Sequence, residues 1–286
     1  MSAGSEQDSW PAPAKINRFL HITGRRADGY HELQTVFQFL DHGDRLWFEP
    51  LSGEKIELHG GLADVVKEDD LVVRAARALQ QRTGQRDGIR ITLDKRLPAG
   101  GGLGGGSSDA ATTLVALNHV WKLGLGEDEL AETGLQLGAD VPVFVRGRAA
   151  WAEGVGERLT PLEALDTPWF LVVDPAVSVS TAEIFSDPQL TRNSPPLKIP
   201  AFLSGAGCNV LEAVVVRRYP EVDKVLNWLS KHQPARMTGS GACVFSAFTD
   251  EASAQGVLEQ LPAPWTGFVA RGCNHSPLHE RLARAG

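Results

Sequence analysis

The chain is poor in cysteine, with three in 286 residues: Cys208, Cys243 and Cys273, odd in number, far apart and without a CxxC spacing. A disulfide framework is thereby excluded as the organising principle, and a reducing cytoplasm is the expected setting. No apolar run approaches the roughly 18 residues that span a bilayer, so no membrane partner is expected. The start, MSAGSEQDSWP, is polar and acidic where a secretory signal would be apolar. Basic runs are missing too. Lys+Arg 28 against Asp+Glu 35 leaves a net charge of −7 with no cationic stripe for nucleic acid. Walker A, HExxH and Gly-x-Ser-x-Gly patterns are all absent. The remaining composition, 42% hydrophobic and 22% charged, is that of an ordinary globular chain. Its length suits one large domain or two lobes. Nothing in it reads out an oligomeric state.

Residues 1 to about 12 read as a disordered tail. Strand-like groups run from Ile16 to Phe48, broken by a turn at Arg26-Ala27-Asp28-Gly29. Leu71, Val72, Ala75, Ala76 and Leu79 share one helical face, with Asp69 or Asp70 as cap. Ile89, Ile91 and Leu93 alternate with polar residues as a half-buried strand. A helix is expected from Ser108 to about Leu123, and another from Leu130 to Leu137, ended by Gly138. Val141 to Val145, with Pro142 inside it, is expected to be extended, and Trp169 to Val173 reads as a buried strand. Four prolines between Asp187 and Pro200 suggest a long surface connection. Helices over Val210–Val216 and Val222–Leu229 precede a strand from Ala242 to Phe248. Strands and helices interleave without strict alternation, which predicts an α+β fold of two lobes. The expected division is 13–160 and 161–286.

The 30 glycines are concentrated. Gly100, Gly101, Gly102, Leu103, Gly104, Gly105 and Gly106 are followed by Ser107, Ser108 and a helix-forming run. Strand, glycine loop, hydroxyl residues and helix start in that order make a phosphate cradle. Glycine lets the backbone approach a ligand, and free N–H groups at a helix start favour an anion. A flexible linker is the plainer alternative, but linkers rarely sit between a strand and a helix start.

Three segments carry a resemblance: Pro13-Ala14-Lys15-Ile16-Asn17, then Leu97-Pro98-Ala99-Gly100 through Ala111, then Thr238-Gly239-Ser240-Gly241-Ala242. In order and spacing they resemble the three motifs of the GHMP kinases, relatives of galactokinase, homoserine kinase and mevalonate kinase. Arg26 through Phe37 and Leu137 through Phe144 narrow the likeness to one branch. That branch phosphorylates the 2-hydroxyl of 4-diphosphocytidyl-2-C-methyl-D-erythritol in the non-mevalonate isoprenoid pathway. The resemblance implies the two-lobed GHMP kinase fold, with ATP and substrate in the cleft between lobes.

It also implies roles. ATP would lie along Pro98, Ala99 and Gly100–Ser108, with Mg²⁺ on Ser107 or Ser108. Asp140 would accept the hydroxyl proton, although a turn or helix-cap aspartate is its commoner use. Lys15, otherwise an ordinary surface lysine, would pair with that carboxylate and aim it. Asn17 would bond the substrate hydroxyl or phosphate. Tyr30 and Phe185 would sandwich the cytosine, His31 would read its edge, and Thr181 would touch the same substrate. Gly239, Ser240 and Gly241 would support the phosphates from the other lobe. Alternatives are a related kinase with another acceptor, or a nucleotide-binding module without catalysis. Cys273, His275 and His279 form a metal-like cluster, but Pro277 argues against a regular helix there and no fourth ligand has zinc spacing.

Overall fold

The computed structural model describes residues 8–62 and 65–285. The first half is built on β1 (Trp10–Arg25), β2 (His31–Leu51), β3 (Ile56–Gly60), α1 (Leu71–Thr83), β4 (Gly88–Asp94), α2 (Gly105–Val120), α3 (Glu127–Leu135), α4 (Val141–Arg146), β5 (Ala150–Gly154) and β6 (Arg158–Pro161). The second comprises β7 (Trp169–Asp174), α5 (Thr181–Ser186), α6 (Ile199–Leu203), α7 (Glu212–Arg218), α8 (Pro220–Leu229), β8 (Ala235–Met237), β9 (Val244–Phe248), α9 (Glu251–Leu258), β10 (Thr266–Cys273) and α10 (Pro277–Ala285).

The long β2 organises the first half. It pairs antiparallel with β1, with β5 over Leu33–Phe37 and with β4 over Arg45–Leu51. Helices α1, α2 and α4 close one face, packing Val72, Leu79, Leu114 and Phe144 in one core with Ile91 of β4. In the second half β7 is flanked by β9 and β10, and α7, α8 and α9 cover that sheet. The end of β10 crosses to β2 at Cys273↔Phe39, which joins the two sheets. A third core, including Ile16, Leu97, Leu103, Phe170 and Phe245, fills the junction.

Three expectations need correction. The strand β1 begins inside the supposed tail: Trp10 and Ala12 are buried, and Arg281 of α10 stacks over the Trp10 ring at 4.8 Å. Residues 1–7 lie outside the described residues. Val141–Val145 is not extended but helical. Pro142 occupies the first turn of α4, where its missing N–H costs nothing. All five residues are buried, and a short apolar run does not separate a strand from a buried helix. Pro277 likewise starts α10 instead of preventing it. Among the described residues no helix is long and apolar enough to cross a membrane.

Candidate active site

The glycine loop lies on a cleft of about 1060 Å³ whose walls come from both halves. Helix α2 starts at Gly105, three residues earlier than expected, and its N-cap is Gly104 with no side chain closing the helix end. The N–H groups of its first turn therefore stay available to a ligand, at the positive end of the helix dipole. Gly104 has φ +73°, and a Cβ there would lie 2.9 Å from Phe144 Cζ and 3.0 Å from Lys15 Cε. Leu103 is 1% exposed and plugs into the junction core. The loop is thus anchored by its one apolar side chain, unlike a linker.

The second loop packs against the first backbone to backbone. A Cβ on Gly102 would lie 2.2 Å from the Thr238 carbonyl, so only glycine fits. Ala242 N donates to Gly100 O at 3.2 Å and Cys243 N to Gly101 O at 3.1 Å. Ser240 Oγ meets Thr181 Oγ1 at 2.7 Å, linking this loop to the start of α5. Gly239 and Ser240 line the cleft, and Gly241 lies just behind them.

Lys15 and Asn17 stand two residues apart on β1, hence on one face. The β1 register shifts on either side of them, and bulges of that kind re-aim side chains. The Lys15 ammonium donates to Asn17 Oδ1 (2.7 Å) and Gly102 O (3.1 Å) and forms an ion pair with Asp140 Oδ2 at 3.3 Å. It also lies 5.3 Å from the centre of the Phe37 ring. Asn17 Nδ2 donates to Thr35 Oγ1 at 2.9 Å, and the Thr35 hydroxyl donates to the Phe19 carbonyl. Asn17 thus holds the Lys15 ammonium and itself lines the cleft. Asp140 occupies the N-cap position of α4, yet its side chain does not cap the helix. Its carboxylate turns to Lys15 and remains 33% exposed on the cleft.

The hydroxyl residues separate. Ser107 lines the cleft, whereas Ser108 is fully buried and its Oγ donates to the Pro13 carbonyl at 2.7 Å. The Ser108 hydroxyl is committed to that carbonyl. Among the described residues no cluster of three or more His, Cys, Asp or Glu could hold a metal. His279 Nε2 lies 2.7 Å from the Val145 carbonyl.

Tyr30, His31, Thr181 and Phe185 share the cleft wall. Tyr30 is 67% exposed, an aromatic face left open beside it. His31 and Phe185 rings meet at 5.2 Å, tilted by 43°.

A second charged cluster escaped the sequence reading. Lys95, just after β4, bridges Asp44 of β2 and Asp109 of α2, the latter at 2.8 Å. Asp44 Oδ1 also accepts from Arg96 N (2.6 Å) and Leu97 N (2.8 Å). Residues 95 and 109 bracket the glycine loop, so the cluster staples its two ends to the sheet. Burial, with Asp44 adding repulsion against the pull of Lys95, pushes the Asp109 carboxyl up to about 8. Burial draws the Lys95 ammonium down, but Asp109 and Asp44 outweigh it and hold its pKa above the ordinary value. One ammonium between two buried carboxylates is neutral only if a carboxyl keeps its proton. The residues are 51 and 14 positions from Lys95, and no local pattern joins them.

The cleft thus combines an open helix start under a glycine loop with a lysine–aspartate pair, in a two-part α+β fold. Residues 70–148 match the GHMP kinases N terminal domain, and residues 191–267 match GHMP kinases C terminal. The chain is 58% identical over 283 residues to the 4-diphosphocytidyl-2-C-methyl-D-erythritol kinase of Halorhodospira halophila, covering 98% of each. It is 60% identical over 274 residues to the enzyme of that name from Pseudomonas paraeruginosa, covering 96% of this chain and 97% of the relative. A crystal structure of 4-(cytidine 5'-diphospho)-2C-methyl-D-erythritol kinase matches with TM-score 0.82 at 35% identity, over 92% of this chain and 98% of that one. A mevalonate kinase, TM-score 0.68 at 15% identity over 93% of this chain and 99% of that one, shares the fold. The chain belongs to the GHMP kinases and, among them, to the 4-diphosphocytidyl-2-C-methyl-D-erythritol kinases.

Proposed function

We propose that the protein transfers the γ-phosphoryl group of ATP to the 2-hydroxyl of 4-diphosphocytidyl-2-C-methyl-D-erythritol, in the cytoplasm, as a step of non-mevalonate isoprenoid synthesis. The observation that carries this reading is the Lys15–Asp140 pair, 3.3 Å apart, on the same cleft as the glycine loop and the Tyr30–His31–Phe185 cluster. Phosphoryl transfer proceeds through a loose transition state and needs positioning and charge neutralisation more than bond-making help. The amides of residues 100–107 seat the phosphates. Asp140 accepts the hydroxyl proton as the new oxygen–phosphorus bond forms and the bridge to ADP breaks. Lys15, fixed by Asn17 and the Gly102 carbonyl, aims the carboxylate at that hydroxyl.

Tyr30 and Phe185 bracket the cytosine, and His31 reads its edge. Among the described residues the protein offers no metal cage of its own, which suits Mg²⁺: it keeps waters and binds largely through substrate phosphates. Ser107 is the hydroxyl placed to join them, and the ion supplies charge neutralisation on the phosphate oxygens when bound. A coupled ADP-release assay across cytidine-diphospho-methylerythritol, mevalonate, homoserine and galactose tests the whole reading. Turnover with the first alone is expected. Turnover with one of the other three and none with the cytidine substrate would reassign the acceptor, and failure with all four would leave a nucleotide-binding module.

A further inference from the structure

Arg192 sits in the proline-rich connection, to which the sequence attaches no chemistry. That connection is not a loose surface strand. Asp187, where it begins, is 4% exposed and is gripped by Arg217 Nη2 at 2.8 Å and Arg218 Nε at 2.7 Å. Arg192 then turns its guanidinium inward and donates to the carbonyls of Leu190 (3.2 Å), Phe185 (2.9 Å) and Asp187 (2.8 Å). Its remaining bond runs from Nε to His31 Nε2 at 3.0 Å.

An arginine Nε–H in a protein only donates, so His31 Nε2 must be the unprotonated nitrogen. The imidazole proton then resides on Nδ1. Burial, with Arg192 and Arg25 adding repulsion, lowers the His31 pKa, which keeps the ring neutral. One guanidinium therefore fixes both the tautomer of His31 and the backbone that carries Phe185, whose ring lies 5.2 Å from the imidazole.

We propose that Arg192 is a positioning residue for base recognition: it locks His31 as the Nδ1–H tautomer and ties it to Phe185. The inference rests on the base-clamp reading given under Proposed function. Its consequence is a choice of base. A fixed donor at Nδ1 suits cytosine, whose ring N3 accepts a hydrogen bond. It opposes uracil, whose N3 carries hydrogen, because two donors would then face each other.

The test combines nitrogen-15 NMR of the histidines in the full-length protein with kinetics of Arg192→Ala, Arg192→Lys and His31→Ala. The His31 signals are assigned by their loss in His31→Ala. The free protein should show His31 protonated at Nδ1 and bare at Nε2, and Arg192→Ala should give a mixture of tautomers. In Arg192→Ala the KM for the cytidine substrate should rise about tenfold, the loss of one charge-assisted hydrogen bond. Turnover and the KM for ATP should stay within about twofold. Arg192→Lys, which keeps one donor, should fall between. A wild-type ring protonated at Nε2 overturns the proposal even if Arg192→Ala fails to fold. An unchanged KM in Arg192→Ala alongside a raised KM in His31→Ala overturns it alone. An unchanged KM in His31→Ala means that the base-clamp reading itself has failed, and the inference with it.

Discussion

Lys15 and Lys95 each meet an aspartate on the cleft wall, Lys15 reaching Asp140 at 3.3 Å and Lys95 reaching Asp109 at 2.8 Å. The carboxylates differ in what surrounds them. Asp140 is 33% exposed and stands at a helix start it does not cap, so one side of it faces the cleft. Asp44 is 0% and Asp109 4% exposed, with backbone amides and one ammonium around them. The same residue types thus serve two purposes. A carboxylate open to a cleft and held by one cation is available for proton transfer. A carboxylate and a protonated carboxyl sealed around one cation are a fastener, and here they fasten both ends of the glycine loop to β2.

Substitutions at the two clusters should separate these purposes. Asp140→Asn and Lys15→Met should lower kcat by about 10²–10⁴-fold, the usual contribution of a positioned acid–base group. The thermal midpoint of Asp140→Asn should stay near that of the wild type. Lys15→Met leaves Asn17 Oδ1 and Gly102 O without their donor and should also cost about 1–3 kcal/mol of stability, read by denaturant unfolding. Lys95→Met should do the reverse, costing about 3–5 kcal/mol because the buried Asp44 carboxylate loses its cation and Asp109 its donor, with a smaller effect on kcat in whatever protein remains folded. Equal loss of turnover in Lys95→Met and Asp140→Asn at matched folded fraction would erase the distinction.

Leu103→Ala tests the anchoring of the loop more gently. It should destabilise by about 2–5 kcal/mol and raise the KM for ATP more than it lowers kcat. The last effect expected is a pH slope. Asp109 holds its proton up to about 8, whereas the unfolded chain releases it near 3.8. Between those values the native state binds the extra proton, so its contribution to stability is greatest at the acidic end and is lost as the pH rises through about 8. Asp109→Asn should flatten that slope in thermal midpoints measured from about pH 5 to about pH 9.

Much of the fold was legible because local signals agreed with tertiary demands. The apolar stripe of α1 with a cap at Asp69 or Asp70 predicts that helix, and it is the Asp70 side chain that accepts from Val72 N. The alternation of Ile89, Ile91 and Leu93 likewise predicted β4. Where burial surrounds an element the period disappears, which is why α4 read as a strand. Helix α2 was placed three residues late because glycine rarely begins a helix interior, and only the packing of Gly104 against Phe144 and Lys15 explains it.

At the site, local motifs located Lys15, Asp140 and the glycine loop, and the structure brings them onto one cleft. Chain-distant bonds were invisible: Lys95 with Asp44 and Asp109, Arg192 with His31. Ser107 and Ser108 are adjacent in sequence, yet helix geometry turns one to the cleft and the other to the Pro13 carbonyl. The prolines of 187–200 predict a surface connection because they break regular structure, and most of that segment is exposed, with Asp187, Leu190 and Ser194 turned inward.

The most direct measurement is single-turnover phosphoryl transfer in Asp140→Asn with ATP and the cytidine substrate both bound beforehand. Both ligands should bind as tightly as to the wild type, while product forms at least about a hundredfold more slowly. Wild-type product formation in that complex would contradict the account, because the cleft would then be doing its chemistry without the carboxylate paired with Lys15.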